Sequence, residues 1–129
     1  NMSPQAPDMN RRSWRMLESA IRKVARKEDV VEVYAISGPV FDLSKPFTKI
    51  GDDVVVPHAF FKTVLIENNT GRINFCSFLL PNEETETSYR DHTVSVEYLE
   101  FRTGLLLWDR LKGASIEKAK ARNTFSPMK

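Results

Sequence analysis

"FFKTVLIENNTGRINFCSFLL", residues 60–80, decides the fold. Two apolar runs, residues 60–67 and 73–80, flank the turn-forming NNTGR. Runs of this length, rich in Phe, Val and Ile and bounded by Asn and Gly, read as two strands of a hairpin with Gly71 near the bend. Upstream, Val54 to Val56 reads as a short strand closed by Pro57, and DLSKPFTKIGDD (residues 42–53) as a loop. In KEDVVEVYAISGPVF (residues 27–41), Val31, Val33 and Ala35 alternate with Glu32, Tyr34 and Ile36. That alternation predicts a strand, ended by a Gly38-Pro39 turn. Downstream, PNEETETSYRDHT reads as a polar loop, with Thr93 capping a helix over residues 95–103 whose Val96, Leu99 and Phe101 face inward. Gly104 stops that helix and LLLW returns to the core, while the tail from Gly113 is polar and helical over residues 116–121.

One more helix opens the chain. Asn10 is a favoured N-cap, and Trp14, Leu17, Ile21, Val24 and Ala25 recur at helical spacing as a buried stripe. The whole reads as a single α+β domain, an antiparallel sheet with packed helices.

Composition sets limits on function. The chain has 129 residues, enough for one sizeable core, with 41% apolar and 28% charged residues. A net charge of +2 gives the whole chain no strong pull on polyanions. The charge is uneven, however. Arg11, Arg12, Arg15, Arg22, Lys23, Arg26 and Lys27 crowd residues 1–27 against only Asp8 and Glu18, a patch able to attract phosphate. Cys76 is the single cysteine, so an intrachain disulfide and a cysteine metal cluster are both excluded, and its apolar setting predicts a buried thiol. No apolar run reaches the roughly 18 residues of a transmembrane helix, so no membrane role is expected.

The opening helix carries polar residues beside its apolar stripe. At about 100° per residue, Asn10 and Glu18 each lie about 40° from Trp14, on opposite sides, and Arg22 about 80° away on Glu18's side. A carboxylate at the margin of a core needs a partner. A capping Asn10 with a Glu18–Arg22 pair one turn apart would supply it. Hard oxygen donors near a helix start, with an arginine one turn on, would equally suit a hydrated Mg²⁺ beside a phosphodiester. Spacing leaves both open.

NMSPQAPDMNRRSWRMLESAIR carries a longer pattern: Asn1, Pro4-Gln5, Asn10, Trp14, Leu17-Glu18 and Arg22. It resembles, without a gap, the signature segment of the DNA/RNA non-specific endonucleases, the ββα-metal (His-Me finger) nucleases. VYAISGPVF, VPHAFFKTVL and VEYLEFRTGLLLW resemble later segments of the same family, so the likeness runs from Asn1 to about Leu111.

The resemblance implies a metal-dependent, sugar-non-specific endonuclease acting on DNA and RNA. Asn10 would be the one protein ligand of Mg²⁺, or of Mn²⁺. Glu18 would hold a metal-bound water, and Arg22 would steady charge developing on the phosphorane. Asn1 would support the site near the catalytic histidine. To these we add Arg11 and Arg15 as phosphate-facing candidates. The family's general base is the histidine of an Asp-Arg-Gly-His segment lying upstream of the position of Asn1, and neither His58 nor His92 matches it. The expectation is therefore a ββα-metal fold lacking its N-terminal strands, inactive alone, whose partners are DNA, RNA and the missing N-terminal part. Residues 1–112 would belong to the catalytic domain and 113–129 form a tail. The family also points to homodimers and to secreted, periplasmic or mitochondrial settings. Two alternatives stand beside it: a non-catalytic nuclease-like binding or scaffold domain, and a plain interaction domain.

Overall fold

The computed structural model describes residues 9–42, 44, 48–50, 54–83, 88–125 and 128. The sheet is built around the hairpin. Strands β4 (Ala59–Asn68) and β5 (Ile73–Pro81) pair antiparallel, Phe60 opposite Leu80 and Val64 opposite Cys76. The turn holds because Gly71 takes φ 83°, open to a residue without Cβ, and because Asn68 Oδ1 accepts from the N–H groups of Thr70 and Arg72. β1 (Val30–Val40) lies outside β4, and β6 (Thr93–Val94) outside β5, giving the order β1-β4-β5-β6.

From Ala59 to Ile66 strand β4 is apolar on both faces, apart from Lys62 and Thr63, because both faces are covered. Phe60, Val64 and Ile66 meet Trp14, Leu17 and Val24 of the opening helix on one side. Ala59, Phe61 and Leu65 meet Val96, Leu99 and Leu107 on the other. The molecule thus has three layers: helix α1 (Arg15–Ala25), the sheet, and the pair α2 (Val96–Thr103) and α3 (Ala114–Ala121). No helix among the described residues is long and apolar enough to cross a membrane.

Several expectations are corrected. β1 continues through Gly38 and Pro39 instead of turning there, with Pro39 opposite Phe60. Proline lacks the N–H a central strand needs, but β1 is an edge strand, where that loss is tolerated. Gly38 has its own reason: a Cβ there would stand 2.8 Å from Phe61 Cε2, so glycine lets the ring lie across β1. Residues 48–50, expected in a loop, form β2 (Thr48–Ile50), which pairs with β3 (Val54–Val56). A one-turn 3₁₀ helix, Tyr89–His92, buries Tyr89 inside the supposed polar loop.

Ser95, not Thr93, caps α2, its hydroxyl accepting from the Tyr98 N–H at 3.0 Å. Val96 and Leu99 are buried as expected, whereas Phe101 is 82% exposed. Helical spacing puts Phe101 about 200° from Leu99, so its apolar nature could not turn it inward. Gly104 does end the helix, in the left-handed conformation at φ 73°. Of LLLW, only Leu107 is buried, and Trp108 is half-buried at φ 57°. Its indole N–H donates to Thr63 Oγ1 at 3.0 Å and its ring packs 5.8 Å from Phe75, which hold that uncommon conformation in place. The tail's helix, α3, is longer than expected and packs Ile116 and Ala119 under the sheet.

Candidate active site on the opening helix

Helical backbone is already present at Met9, as a one-turn π segment (Met9–Trp14) that runs into α1. Asn10 therefore stands within the wound segment. Asn1 lies outside the described residues, as do the side chains of Asn10 and Arg11.

Along α1 the buried stripe is Trp14, Leu17 and Val24, with Ala20 and Ile21 partly covered and Ala25 exposed. Leu17 and Val24 are the most deeply buried, so the stripe centres on them and its axis falls on the side of Trp14 away from Glu18. Glu18 consequently sits about 100° from Leu17, on the flank and not beneath the core. Arg15 and Arg22 are exposed on the same flank.

What lies beside Glu18 comes from the sheet. Lys62 of β4 occupies an even position, and even positions of β4 face α1. Its side chain is 9% exposed, and its Nζ stands 3.6 Å from Glu18 Oε2. The same Nζ lies 4.8 Å over the Trp14 ring, whose edge meets Phe60 at 6.2 Å. An ammonium in this setting would be costly without partners. The ring quadrupole and the carboxylate supply them, the first worth about 1–2 kcal/mol when desolvated. Among the described residues Glu18 pairs with Lys62 and not with Arg22, so the one-turn pair, one of the two readings that spacing left open, does not form.

The Glu18 carboxylate remains 44% exposed. It is held from one side by a fixed cation and open to water on the other. Arg15 and Arg22, exposed on the same flank, add cationic character around a single acid. Such a surface can receive a phosphodiester while keeping an oxygen donor available. Sequence reading did not single out Lys62, although a signal was present: it is the one charged residue between Ala59 and Ile66, a largely apolar stretch, and a buried lysine calls for a carboxylate.

The remaining reactive side chains are committed elsewhere. His58 Nδ1 accepts from the Asp42 N–H at 2.9 Å, tying the end of β1 to the start of β4. His92 borders a separate groove with Tyr98 and Asn123. Cys76 is buried, and burial pushes its thiol up to about 12, which makes it an inert packing residue as expected. Among the described residues no group of three or more His, Cys, Asp or Glu side chains is placed to hold a metal. A cage of protein ligands is thus not what these residues offer. A hydrated hard cation needs only one or two protein oxygens, and an amide with a half-exposed carboxylate on one helix is a donor set of that kind.

Comparison with known proteins places the chain in a family. The sequence pattern of the DNA/RNA non-specific endonuclease family matches residues 1–114. The nuclease of Serratia marcescens is 31% identical over 112 residues, covering 84% of this chain and 41% of that protein. The mitochondrial endonuclease G of Caenorhabditis elegans is 37% identical over 131 residues, covering 92% of this chain and 42% of its own. Among solved structures, a complex of endonuclease G with its inhibitor EndoGI superposes with a TM-score of 0.73 at 26% identity, over 87% of this chain and 50% of that one. The chain thus spans about two fifths of the length of these curated relatives.

Proposed function

From the premise that the chain belongs to the DNA/RNA non-specific endonuclease family, we propose that it forms part of a metal-dependent endonuclease that hydrolyses phosphodiester bonds of DNA and RNA without regard to the sugar. The observation that carries this reading is the Glu18 carboxylate, pinned by buried Lys62 at 3.6 Å yet open to solvent on the flank that bears Arg15 and Arg22.

Asn10 and Glu18 would hold the divalent cation, the first directly and the second through water, and oxygen donors of this hardness favour Mg²⁺, with Mn²⁺ as a substitute. When bound, the cation supplies Lewis-acid charge to the phosphodiester and its leaving oxygen. The chain's own residues then divide the remaining work. Arg22 pairs with a non-bridging phosphate oxygen and offsets negative charge as it builds. Arg15, with Arg11 before it, holds a neighbouring phosphate. Contacts of this kind go to the backbone and carry no base information, which accounts for indifference to sequence. Lys62 fixes the rotamer of Glu18, so the carboxylate is in position before substrate arrives. Asn1 supports the water-activating base, a histidine that we assign to a segment outside these 129 residues.

Plasmid digestion by the intact protein, with and without Mg²⁺, tests the proposal. Cleavage should require the cation and should fail in Asn10→Ala. Undiminished cutting by Asn10→Ala, or cutting in chelator equal to that in Mg²⁺, would refute it.

A further inference from the structure

The flank of α1 opposite Glu18 forms one wall of a groove of about 540 Å³. Lys23 and Lys27 project from that wall, and Arg90 faces them from the 3₁₀ turn. Lys23 lies about 140° round the helix from Glu18, so this groove and the candidate active site are separated by the body of α1, about 10 Å across.

Three features give the groove a chemical character. First, none of the described lining residues is a carboxylate, and none of the three cations forms an ion pair among the described residues. No described residue therefore neutralises their charge. Second, Arg90 is positioned in advance. Its guanidinium stacks 5.4 Å from the Phe125 ring and 5.9 Å from the Tyr89 ring. The turn that carries it is fixed by a reciprocal cap between Ser88 and Asp91. A planar fork held on an aromatic shelf loses little rotamer freedom on meeting a phosphate. Third, Lys23 and Lys27 are one turn apart, so they form a row along the groove instead of a single point, with Ser19 contributing a hydroxyl in the same row.

A row of cations without a carboxylate partner among the described residues, set in a concave channel, matches a chain of phosphates better than a flat bilayer or a single small anion. We infer that this groove is a second polynucleotide track: it binds the sugar–phosphate backbone of the substrate at a distance from the bond being cut. The inference rests on the nuclease reading for the identity of the polyanion, but it concerns residues that take no part in hydrolysis. The groove adds affinity for long substrates and leaves the chemistry at Glu18 unchanged. None of its described lining residues is an Asn or Gln able to read base edges, so the affinity they add is independent of sequence.

The test uses the intact protein and a triple variant, Lys23→Gln/Lys27→Gln/Arg90→Gln. All three residues are exposed, so the fold should survive. Binding of a labelled duplex of roughly 30 base pairs is measured in chelator between about 50 and 200 mM salt. Loss of the track should weaken binding about 10- to 100-fold and flatten the slope of log affinity against log salt by about 2–3, near 0.9 per phosphate contact removed. With Mg²⁺ restored, KM for long duplex should rise while cleavage of a nitrophenyl ester of thymidine phosphate stays at the wild-type rate. An unchanged salt slope and KM would overturn the inference. So would equal loss of cleavage on the short ester, which would place the groove within the active site. Capture of phosphatidylserine vesicles that vanishes in the variant, with duplex binding untouched, would overturn it in favour of a lipid surface. A wild-type protein that binds duplex but cleaves neither substrate refutes the nuclease reading alone, and the salt slope still decides the groove.

Discussion

Among the described residues two lysines are buried, one on each side of the sheet, and each reaches one glutamate. On the α2/α3 side Lys120 Nζ lies 3.7 Å from Glu100 Oε2, and that same oxygen accepts the Leu107 N–H at 2.9 Å. On the α1 side Lys62 Nζ lies 3.6 Å from Glu18 Oε2. The pairs share a distance and differ in what the acid does next. Glu100 is spent inside the fold, clamping the turn after α2 to α3, and is 22% exposed. Glu18 is twice as exposed, at 44%, and among the described residues its partner is Lys62 alone. The first pair locks a chain reversal. The second holds an acid at the surface in a fixed orientation. The difference teaches that a buried lysine can serve architecture or position a carboxylate for use, and that the exposure of its partner separates the two.

Substitutions should separate the pairs most widely in cleavage. In the intact protein, Asn10→Ala removes the oxygen donor we propose for the cation and should cost about 10²–10³-fold in rate, the several kcal/mol a bound cation supplies. Glu18→Gln should cost about 10- to 100-fold, as for residues that orient a metal's water shell, with stability lowered by only about 1 kcal/mol because the acid is half in water. Glu100→Gln should show the reverse. It leaves buried Lys120 without a counter-charge, lowering stability by about 2–3 kcal/mol in urea titration, while cleavage per folded molecule is unchanged. Equal effects of the two glutamine variants on cleavage would break the comparison.

Lys62→Met sharpens it further. An unbranched apolar side chain fills the same space against Trp14, so stability should stay within about 1 kcal/mol of wild type. Cleavage should nonetheless fall about 10-fold as Glu18 loses its fixed rotamer, and Lys62→Arg should restore part of it. A Lys62→Met protein that is destabilised but fully active per folded molecule would reassign this pair to architecture.

Much of the fold was legible because the hairpin's apolar runs and its NNTGR turn agree with each other, and because Gly104 stands where a helix must end. What was hidden depends on distant parts of the chain. Whether Gly38-Pro39 turns or extends is decided by β1 being an edge strand, which local sequence cannot say. Thr48–Ile50 looks like loop because its pairing partner, Val54–Val56, supplies the reason for it to be a strand. The candidate site was legible in part. The opening pattern marked Glu18 and Arg22, but the wheel, which left a Glu18–Arg22 pair open, could not show the companion Glu18 has. Lys62 arrives from a strand far along the chain, and only the even–odd register of β4 brings it to the α1 face.

Smaller effects probe the two sides of the sheet as packing. Gly38→Ala would push a Cβ toward Phe61 Cε2, 2.8 Å away, and should cost about 1–3 kcal/mol on the α2/α3 side with little change in cleavage per folded molecule. Cys76, facing α1, should resist thiol reagents at neutral pH until the protein unfolds. Its thiol is pushed from 9.0 up to about 12, so the native state keeps the proton that the unfolded state releases. Stability contributed this way is complete below pH 9.0 and declines as pH rises toward about 12, by up to about 1.4 kcal/mol per unit. Rapid labelling of native protein would show that the core on this side opens readily.

The most direct test of the Glu18 assignment is an anomalous difference map from crystals of the intact protein soaked in Mn²⁺. The account predicts a peak at the start of the opening helix, bound by the Asn10 amide oxygen, with the Glu18 carboxylate facing its water shell and Lys62 still behind that carboxylate. A map with no peak there, or with Mn²⁺ bound elsewhere while wild-type protein cleaves DNA in the same buffer, would contradict it.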